Sequence, residues 1–311
     1  MCCTGVAVSL ISRVSKTYQT NGTPRYRMIA IDLDGTLLTH HGNVSPRTKE
    51  AVHRCLAEGL LVCFATGRNW TESRAVLEAV GHYDTAVFAG GAMVVDTKNE
   101  VMLHRQLVDP QLARELCGFF EDRGYCAMAL QDRAACGLDY LASADVELDE
   151  STKLWVELFG AGLHRRSDLR TFGHEHTVRV GTVTPAVDAG RTVADLRDRF
   201  GERITTHSIR IPQFGSEVIE VFDPAVNKWA GILMVARRHG IKPEQIVAVG
   251  DDVNDLPMLT RAGLGVAMGN ARPEIQAVAK RVIGTNREDG LAAFLEELLA
   301  THAVEPIAEG D

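Results

Sequence analysis

The sequence has no uninterrupted apolar stretch near the roughly 18 residues that a membrane-spanning helix requires. It also lacks a long run of Lys and Arg, and its 41 acidic residues outnumber its 33 basic residues, for a net charge of −8. Because nucleic-acid phosphates attract basic surfaces, this balance excludes a mainly nucleic-acid-binding role. The sequence therefore predicts a soluble protein with neither a membrane partner nor a nucleic-acid partner.

Cysteines are present, but without the spacing of a disulfide framework or a structural zinc site. The seven cysteines are an odd number, and no Cys-x-x-Cys pair has a matching set of further ligands. This pattern disfavours a secreted disulfide scaffold and favours a reducing compartment, for which we expect the cytoplasm. Cys55 and Cys63 stand in apolar surroundings, where a thiol usually acts as a small buried hydrophobe.

Acidic residues are missing from the first 31 positions, which carry four basic residues: Arg13, Lys16, Arg25 and Arg27. A basic, acid-free start with Ser and Thr is typical of a transit peptide, so organellar targeting is the alternative to a cytoplasmic location. The simpler interpretation is a disordered extension, or a start codon assigned too early, since Met28 directly precedes the first clear strand. We treat residues 1–27 as a leader outside the fold.

The length of 311 residues fits one large domain or two ordinary ones, and the apolar share of 45 % is sufficient for a sizeable core. Short apolar runs alternate with amphipathic segments over residues 28–107 and again over 216–311, as in successive βα units. The stretch 108–215 mixes helices and strands in no simple order. The sequence thus predicts an α/β fold, with a doubly wound, Rossmann-like parallel-sheet core interrupted by an inserted α+β domain.

Three features place the boundaries of this pattern. Ser45-Pro46 and Asp109-Pro110 combine a helix N-cap with a proline at the first helical position, so each is expected to begin a helix. The stretch Met93–Arg105 is expected to be a β-hairpin that turns at Lys98-Asn99. Glu217–Phe222 is predicted to be a buried strand in the second segment of the core.

The strongest candidate for chemistry is the acidic segment Asp32-Leu33-Asp34-Gly35, which directly follows the first apolar strand. In doubly wound sheets ligands bind beyond the carboxyl ends of the strands, so these carboxylates stand where a site would form. Residues two apart can project to one side of an extended segment, and two close carboxylates need a cation or a shared proton. The alternative is an ordinary acidic turn, since Asp-Gly is a common turn dipeptide.

A second acidic cluster follows another apolar strand and comprises Asp251, Asp252, Asn254 and Asp255. Oxygen ligands of this kind suit Mg²⁺, which is typically held by one or two carboxylates and the phosphate of a substrate. Asp252 could instead be a solvated loop acid, and Asp255 an acid favoured by a helix N-terminus. Two such clusters at strand ends indicate a metal site.

Two weaker signals add anion-binding groups. Thr66-Gly67-Arg68 follows the second strand, where a hydroxyl and backbone N–H groups near a helix start can hold an anion. Lys228 stands near the start of a predicted helix and could place a fixed positive charge over a phosphate. Taken singly, each would more often be an ordinary loop or a solvated lysine.

Together, the segments DLDGTL (32–37), TGR (66–68), Lys228 and GDDVND (250–255) resemble the four motifs of the haloacid dehalogenase-like hydrolase superfamily. Their spacing resembles that of its Cof-type branch, often called sugar phosphatases, whose large cap is inserted between the second and third motifs. The interval from Thr66 to Lys228 has room for a cap of roughly 100 residues, so the inserted domain at 108–215 is expected to be that cap. The segments at 266–271 and 289–291 also match.

The resemblance implies a role for each matched residue. Asp32 would be the nucleophile that forms an aspartyl-phosphate, and Asp34 the acid that protonates the leaving oxygen and then activates water. Mg²⁺ would be held by Asp32, Asp251 and the main-chain carbonyl of Asp34. The phosphoryl group would be held by four residues: Thr66, Gly67, Lys228 and Asn254. Asp255 would support the metal or Lys228.

The expected substrate is therefore a small-molecule phosphate ester, first of all a sugar phosphate, hydrolysed by a monomer or weak homodimer. Resembling ATPases carry Thr at the position of Asp34 and dehalogenases lack this acid, so Asp34 favours a phosphatase or a phosphomutase. A phosphomutase would need a cap rich in phosphate-binding arginines, and no arginine cluster stands at a predicted pocket. A non-enzymatic metabolite-binding protein on the same fold is a third hypothesis, against which the intact acid set argues.

Some residues depart from the family pattern or carry weaker signals. Gly90 stands where relatives commonly have Asn, and Trp229 where they commonly have Gly; we expect Trp229 to pack in the core rather than line the pocket. His174-Glu175-His176 is expected to be a polar loop and strand start rather than a metal site. Three residues near the end of the insert could touch substrate or serve as hinge residues: Arg210, Gln213 and Ser216.

Overall fold

The computed structural model describes residues 26–82, 84–159, 162–211 and 215–301. The predicted leader, apart from its last two residues, and Gln213 lie outside these ranges. Among the described residues, no helix combines the length and the apolar character needed to cross a bilayer.

The strands follow in chain order: β1 (Met28–Ile31), β2 (Leu61–Phe64), β3 (Thr85–Phe88), β4 (Met93–Asp96), β5 (Val101–Arg105), β6 (Met128–Gln131), β7 (Tyr140–Ser143), β8 (Leu163–Arg166), β9 (Thr177–Pro185), β10 (Thr205–Ile211), β11 (Ser216–Phe222), β12 (Ile246–Gly250), β13 (Leu264–Ala267) and β14 (Arg281–Val282). The helices are α1 (Pro46–Ala57), α2 (Trp70–Val80), α3 (Pro110–Glu121), α4 (Arg133–Cys136), α5 (Glu150–Phe159), α6 (Ala186–Phe200), α7 (Lys228–Arg238), α8 (Leu256–Arg261), α9 (Pro273–Val278) and α10 (Gly290–Ala300).

The core is built on a five-stranded parallel sheet in the order β14-β13-β12-β1-β2. Its central strand β12 is buried along its whole length, as is β1 beside it. Continuous apolar runs are typical of parallel strands because helices cover both faces of such a sheet. A parallel bridge between Ala65 and Val87 continues the sheet toward β3. The predicted Rossmann-like core is thereby confirmed.

Local sequence signals set the ends of the helices. The side chain of Ser45 accepts a hydrogen bond from the Thr48 N–H at the start of α1, and Asp109 does the same for Leu112 at the start of α3. Gly81 ends α2 at φ +74°, a left-handed conformation that glycine adopts without steric cost. The predicted hairpin is also confirmed, because β4 and β5 pair antiparallel.

A six-stranded, mainly antiparallel sheet in the order β10-β11-β9-β6-β7-β8 forms a second layer, which with α3–α6 we name the cap. Side chains alternate between the two faces of its strands. One face, which includes Val180 and Val221, packs against Leu116 and Leu196 of α3 and α6. The other face belongs to the same apolar cluster as the core residue Val249. The fold is therefore the predicted α/β core with an α+β insertion.

The cap sheet extends further along the chain than the predicted boundary at residue 215. Strand β11 pairs with β10 on one side, as in Ser208↔Ile219, and with β9 on the other, as in Val218↔Val183. The placement of Glu217–Phe222 in the core is therefore wrong. A strand in the middle of the cap sheet is covered on both faces, and its apolar pattern matches that of a core strand.

Candidate active site

The candidate site forms where the carboxyl ends of β1, β2 and β12 meet. Asp32 directly follows β1, Thr66 lies just beyond β2, and Asp251 directly follows β12. Lys228 is the first residue of α7, whose N-cap Asn227 accepts a hydrogen bond from the Ala230 N–H. The parallel order of the sheet thus brings together residues that are far apart in the sequence.

Lys228 joins two carboxylates at the centre of the site. Its Nζ lies 2.6 Å from Asp32 Oδ1 and 2.7 Å from Asp255 Oδ1, and all three residues are buried. Burial by itself lowers the pKa of Lys228, but the charges of Asp255 and Asp32 outweigh it and raise the pKa. Lys228 is therefore a fixed cation at the site.

When Asp32 and Asp251 are both ionised, Lys228 alone does not balance their negative charge. Burial raises the pKa of Asp32 to about 8; Lys228 opposes this effect and the charge of Asp255 adds to it. Burial also raises the pKa of Asp251, and Asp32 contributes to that shift. Two such acids side by side favour binding of a further cation.

Asp255 holds the second acidic loop together. Its Oδ2 accepts hydrogen bonds from the N–H groups of Asp251, at 2.9 Å, and of Asp252, at 3.1 Å. Its other oxygen is occupied by Lys228. The side chain thus orients both the lysine and the loop that carries Asp251.

The arrangement of carboxylates fits a divalent cation. One oxygen each from Asp32, Asp251 and Asp255 lie within 4.8 Å of one another. Because Asp255 is engaged by Lys228 and two N–H groups, Asp32 and Asp251 are the better ligand candidates. Asp251 has only long contacts, with Thr36 Oγ1 and Asn270 Nδ2, each at 3.3 Å. Hard carboxylate oxygens of this kind suit Mg²⁺.

Gly35 allows the first acidic loop to pass close to Asp251. A Cβ at this position would lie 2.1 Å from Asp251 Oδ2, and the backbone has φ +79°. Any other residue would clash with the carboxylate and strain the backbone. The Asp-Gly pair is thus required by the site as well as by the turn.

Asp34 lies at the open side of the site. Its side chain is 54 % exposed and receives two hydrogen bonds from Arg68, from Nε at 2.8 Å and from Nη2 at 2.5 Å. This two-point contact fixes the plane of the carboxylate. Arg68 belongs to the predicted TGR motif, but no role for its side chain was predicted.

Thr66, Gly67 and Asn254 line the site between Asp34 and the cap. Thr66 is buried, and its Oγ1 accepts a hydrogen bond from the Arg68 N–H at 3.1 Å. A Cβ at Gly67 would lie 3.6 Å from Asn254 Nδ2, so the second and fourth motifs meet here. The predicted phosphoryl-binding residues thus come together, whereas their roles remain predictions.

Three cap residues also reach the site, and sequence reasoning missed them. Arg179 Nη1 donates to the Gly67 carbonyl at 3.0 Å and pairs with Glu220, and its Nη2 donates to Tyr140 Oη at 2.7 Å. His207 lies opposite Glu220 across β10 and β11. For Arg179 and Glu220 the available signal was a charged residue between apolar residues of a strand, whereas His207 stands in a polar stretch that carries no such signal.

The weaker candidates have structural explanations. His174 is buried, and its ring nitrogens lie 2.9 Å from Thr177 Oγ1 and 2.8 Å from the Leu169 carbonyl oxygen, so it belongs to a loop as expected. Trp229 is buried in the core, as expected. At Gly90, a Cβ would lie 3.2 Å from the Phe222 ring.

Arg210 and Ser216 contact protein groups rather than the site. Arg210, whose side chain is largely exposed, lies 3.5 Å from Glu217, and Ser216 Oγ donates to Ser151 Oγ at 2.6 Å. Both residues thus hold elements of the cap together.

Comparison with known proteins supports the family resemblance. Residues 29–295 match the family model described as haloacid dehalogenase-like hydrolase. The chain belongs to this family. Bacillus subtilis phosphatase YwpJ is 26 % identical over 290 residues, covering 88 % of this chain and 100 % of YwpJ. A second relative from that organism, 5-amino-6-(5-phospho-D-ribitylamino)uracil phosphatase YitU, is 29 % identical over 280 residues, covering 87 % and 96 %.

A solved structure shows the same fold. It is a sugar phosphatase of haloacid dehalogenase subclass IIB, with a TM-score of 0.72, 20 % identity, and coverage of 89 % of this chain and 100 % of that chain. The predicted Cof-type resemblance and fold class are thereby confirmed. The prediction of a phosphoric monoester hydrolase agrees with the names of the relatives.

Proposed function

We propose that this haloacid dehalogenase-like hydrolase is a Mg²⁺-dependent phosphatase that acts on a small phosphorylated metabolite, a sugar phosphate. The observation that carries the proposal is the buried Asp32, 4 % exposed, held 2.6 Å from Lys228 at the carboxyl end of β1. The curated relatives YwpJ and YitU are both named phosphatases, which supports the reaction class.

Asp32 is the proposed nucleophile. Its carboxylate attacks the phosphorus, the ester oxygen leaves, and the resulting aspartyl-phosphate is then hydrolysed by water. Lys228 holds one carboxylate oxygen of Asp32, so the attacking oxygen is presented in a single orientation. Lys228 also contributes positive charge beside the transferring phosphoryl group, as phosphoryl transfer requires.

Thr66, Gly67 and Asn254 are proposed to bind the remaining phosphoryl oxygens. A hydroxyl, a backbone N–H and a side-chain amide are all hydrogen-bond donors, which the phosphoryl oxygens need. Gly67 and Asn254 lie side by side in the site. Together with Lys228 these donors would hold the group in line for attack by Asp32.

Asp34 is proposed to be the acid and base that transfers protons in the two steps. Its exposed carboxylate, fixed by Arg68, can accept a proton from the water that hydrolyses the intermediate. In the first step it must donate a proton to the leaving oxygen, and a protonated Asp34 has no ion pair with Arg68. Arg68 is thus a positioning residue for the form of Asp34 that activates water.

Mg²⁺ would be held by Asp32, Asp251 and the main-chain carbonyl of Asp34. The fit rests on the donor set: oxygens of three carboxylates, two of them buried, lie within 4.8 Å of one another, and the hydrogen bonds that the Asp251 side chain accepts from described residues are long, at 3.3 Å. When bound, the ion would neutralise phosphoryl oxygens as a Lewis acid.

No observation favours the alternatives over this function. Among the described residues, the cap arginine with a hydrogen bond to the site is Arg179, and it is already paired with Glu220. A phosphomutase would need cap arginines that are available for a second phosphate. A non-enzymatic binder has no need for the Asp34 carboxylate held by Arg68.

The test is phosphate release from a panel of phosphorylated metabolites with and without Mg²⁺, using the wild type and Asp32→Asn. We expect Asp32→Asn to lower kcat by at least about a thousandfold, because the amide cannot form the covalent intermediate. Asp188→Asn is the matched control, since Asp188 pairs with Arg191 on the surface of α6. Mg²⁺-dependent turnover that survives Asp32→Asn would show that the nucleophile is assigned wrongly.

A further inference from the structure

The face of the cap sheet that covers the site carries three charged or polar residues next to apolar ones. Val183, Val218 and Phe222 pack on this face in the cluster shared with the core. Arg179, His207 and Glu220 share that face because side chains alternate along each strand. Polar residues are costly among packed apolar ones, so their presence here requires partners.

Only one of the two carboxylate oxygens of Glu220 has a partner among the described residues. Its Oε1 pairs with Arg179, whereas its Oε2 is buried and has no hydrogen-bond partner in the described part of the chain. The residue is 4 % exposed. A Cβ at Gly67 would lie 3.7 Å from this free oxygen and 3.6 Å from Asn254 Nδ2. The free carboxylate oxygen therefore lies beside the proposed phosphoryl-binding residues.

His207 carries a second unsatisfied atom on the same face. It is the direct cross-strand partner of Glu220, and its Nδ1 is buried without a hydrogen-bond partner. Burial and then the charge of Lys228 lower the pKa of His207 to about 4, so the ring is neutral near pH 7. A neutral imidazole offers one donor and one acceptor nitrogen.

The charges around these two atoms select the ligand group. An ionised carboxylate oxygen accepts hydrogen bonds and cannot donate them, so Glu220 needs a donor. Arg179 already neutralises the charge of Glu220, so an ammonium group would add a positive charge with no unpaired negative charge of Glu220 to meet it. A hydroxyl is uncharged, donates one hydrogen bond and accepts others, and so can serve both Glu220 and His207.

We propose that Glu220 and His207 form a subsite for the leaving group, which binds a hydroxyl of the substrate. This inference rests on the proposed phosphatase function and refines it: the substrate is an ester whose organic part carries hydroxyl groups near the phosphate. The subsite selects polyhydroxylated phosphates over alkyl phosphates of the same length.

The experiment compares kcat/KM for two four-carbon esters, erythritol 4-phosphate and n-butyl phosphate, in the wild type and in Glu220→Gln and His207→Phe. Glutamine keeps an amide oxygen for Arg179 and presents an amide N–H group in place of the free carboxylate oxygen. Phenylalanine keeps the ring that packs near Phe222 and removes both nitrogens. Glu217→Gln is the matched control, because Glu217 stands on the opposite face of the same strand.

We expect the wild type to prefer erythritol 4-phosphate by at least about tenfold, since a site built to bind a hydroxyl rejects an analogue without it. Each of the two variants should reduce this preference at least about fivefold, and Glu217→Gln should leave it intact. Because the readout is a ratio, a variant that only weakens the fold lowers kcat/KM for both esters equally.

Equal use of the two esters by the wild type overturns the inference, as does a preference that both subsite variants retain or an equal loss for both esters. Failure of the proposed function looks different. In that case neither ester, nor p-nitrophenyl phosphate, releases phosphate with Mg²⁺, and the subsite is refuted together with the function.

Discussion

Lys228 and Asp32 lie 196 positions apart in the sequence, yet their side chains form a 2.6 Å hydrogen bond in the interior. This bond ties the start of α7 to the end of β1. Lys228 also bonds Asp255, so one cation stabilises two buried carboxylates from different motifs. The catalytic centre and the stability of the core are therefore coupled through a single side chain.

Removing this cation should destabilise the protein. We expect Lys228→Met to lower the free energy of unfolding by about 3–5 kcal/mol without Mg²⁺, because two buried carboxylates lose their partner. Urea denaturation followed by circular dichroism measures the change. Lys153→Met, at an exposed position of α5, should change it little. A loss below about 1 kcal/mol would mean that the two acids are neutral without the lysine.

Mg²⁺ should raise the melting temperature of the wild type. An ion that binds only the folded state stabilises it by about 2.7 kcal/mol at a hundred times its dissociation constant. Asp251→Asn should abolish the shift, and its melting temperature without metal should be equal or higher, since one of the crowded charges is gone. Scanning calorimetry across a Mg²⁺ titration gives both values. An undiminished shift in Asp251→Asn would exclude this carboxylate as a ligand.

Arg68 should matter most for the second step, the hydrolysis of the aspartyl-phosphate. Arg68→Lys replaces the two-point contact with Asp34 by a single charge, and we expect it to lower kcat for p-nitrophenyl phosphate by about tenfold. The leaving oxygen of this ester needs little help from a proton donor, so the step in which Asp34 activates water should limit its turnover. A larger loss for alkyl phosphates than for p-nitrophenyl phosphate would indicate that Arg68 acts on proton donation instead.

His174 should make the protein lose stability as the solution is acidified through the ordinary pKa of histidine, whereas the raised pKa of Asp32 acts in the opposite direction. Burial lowers the pKa of His174 in the folded state. Near pH 6.5 the unfolded chain therefore binds a proton that the folded chain does not, and each lower pH unit costs at most about 1.4 kcal/mol. Urea titrations between pH 7.5 and 5.5 measure the slope.

His174→Asn should remove this contribution, so acidification should cost the variant less stability than it costs the wild type. Asparagine is the suitable replacement, since residue 174 has φ +58° and asparagine tolerates this conformation better than most residues. His82 is also buried with a lowered pKa, so part of the slope should remain in the variant. An unchanged slope would show that His174 does not contribute.

The core acids were predictable because their position follows from local rules. Asp32 and Asp251 come directly after apolar strands, and parallel strands bring their carboxyl ends to one edge of the sheet. The roles proposed for them came from the family resemblance. The cap contribution was not predictable, because Glu220 meets Gly67 only through pairing between strands of a separate sheet. The same ambiguity of apolar strands misplaced Glu217–Phe222, since periodicity does not identify the sheet that a strand joins.

The chain crosses between core and cap at two short places. The Gln106 N–H bonds the Ala92 carbonyl on the core side, while the Val108 N–H bonds the Thr177 carbonyl on the cap side. The return crossing, between β11 and α7, is the short segment 223–227. Two tethers this short should allow the cap to rotate relative to the core about the line that joins them and should prevent it from sliding over the core. We therefore expect product to leave on the side away from that line, and bulky groups fused at either crossing to hinder the rotation.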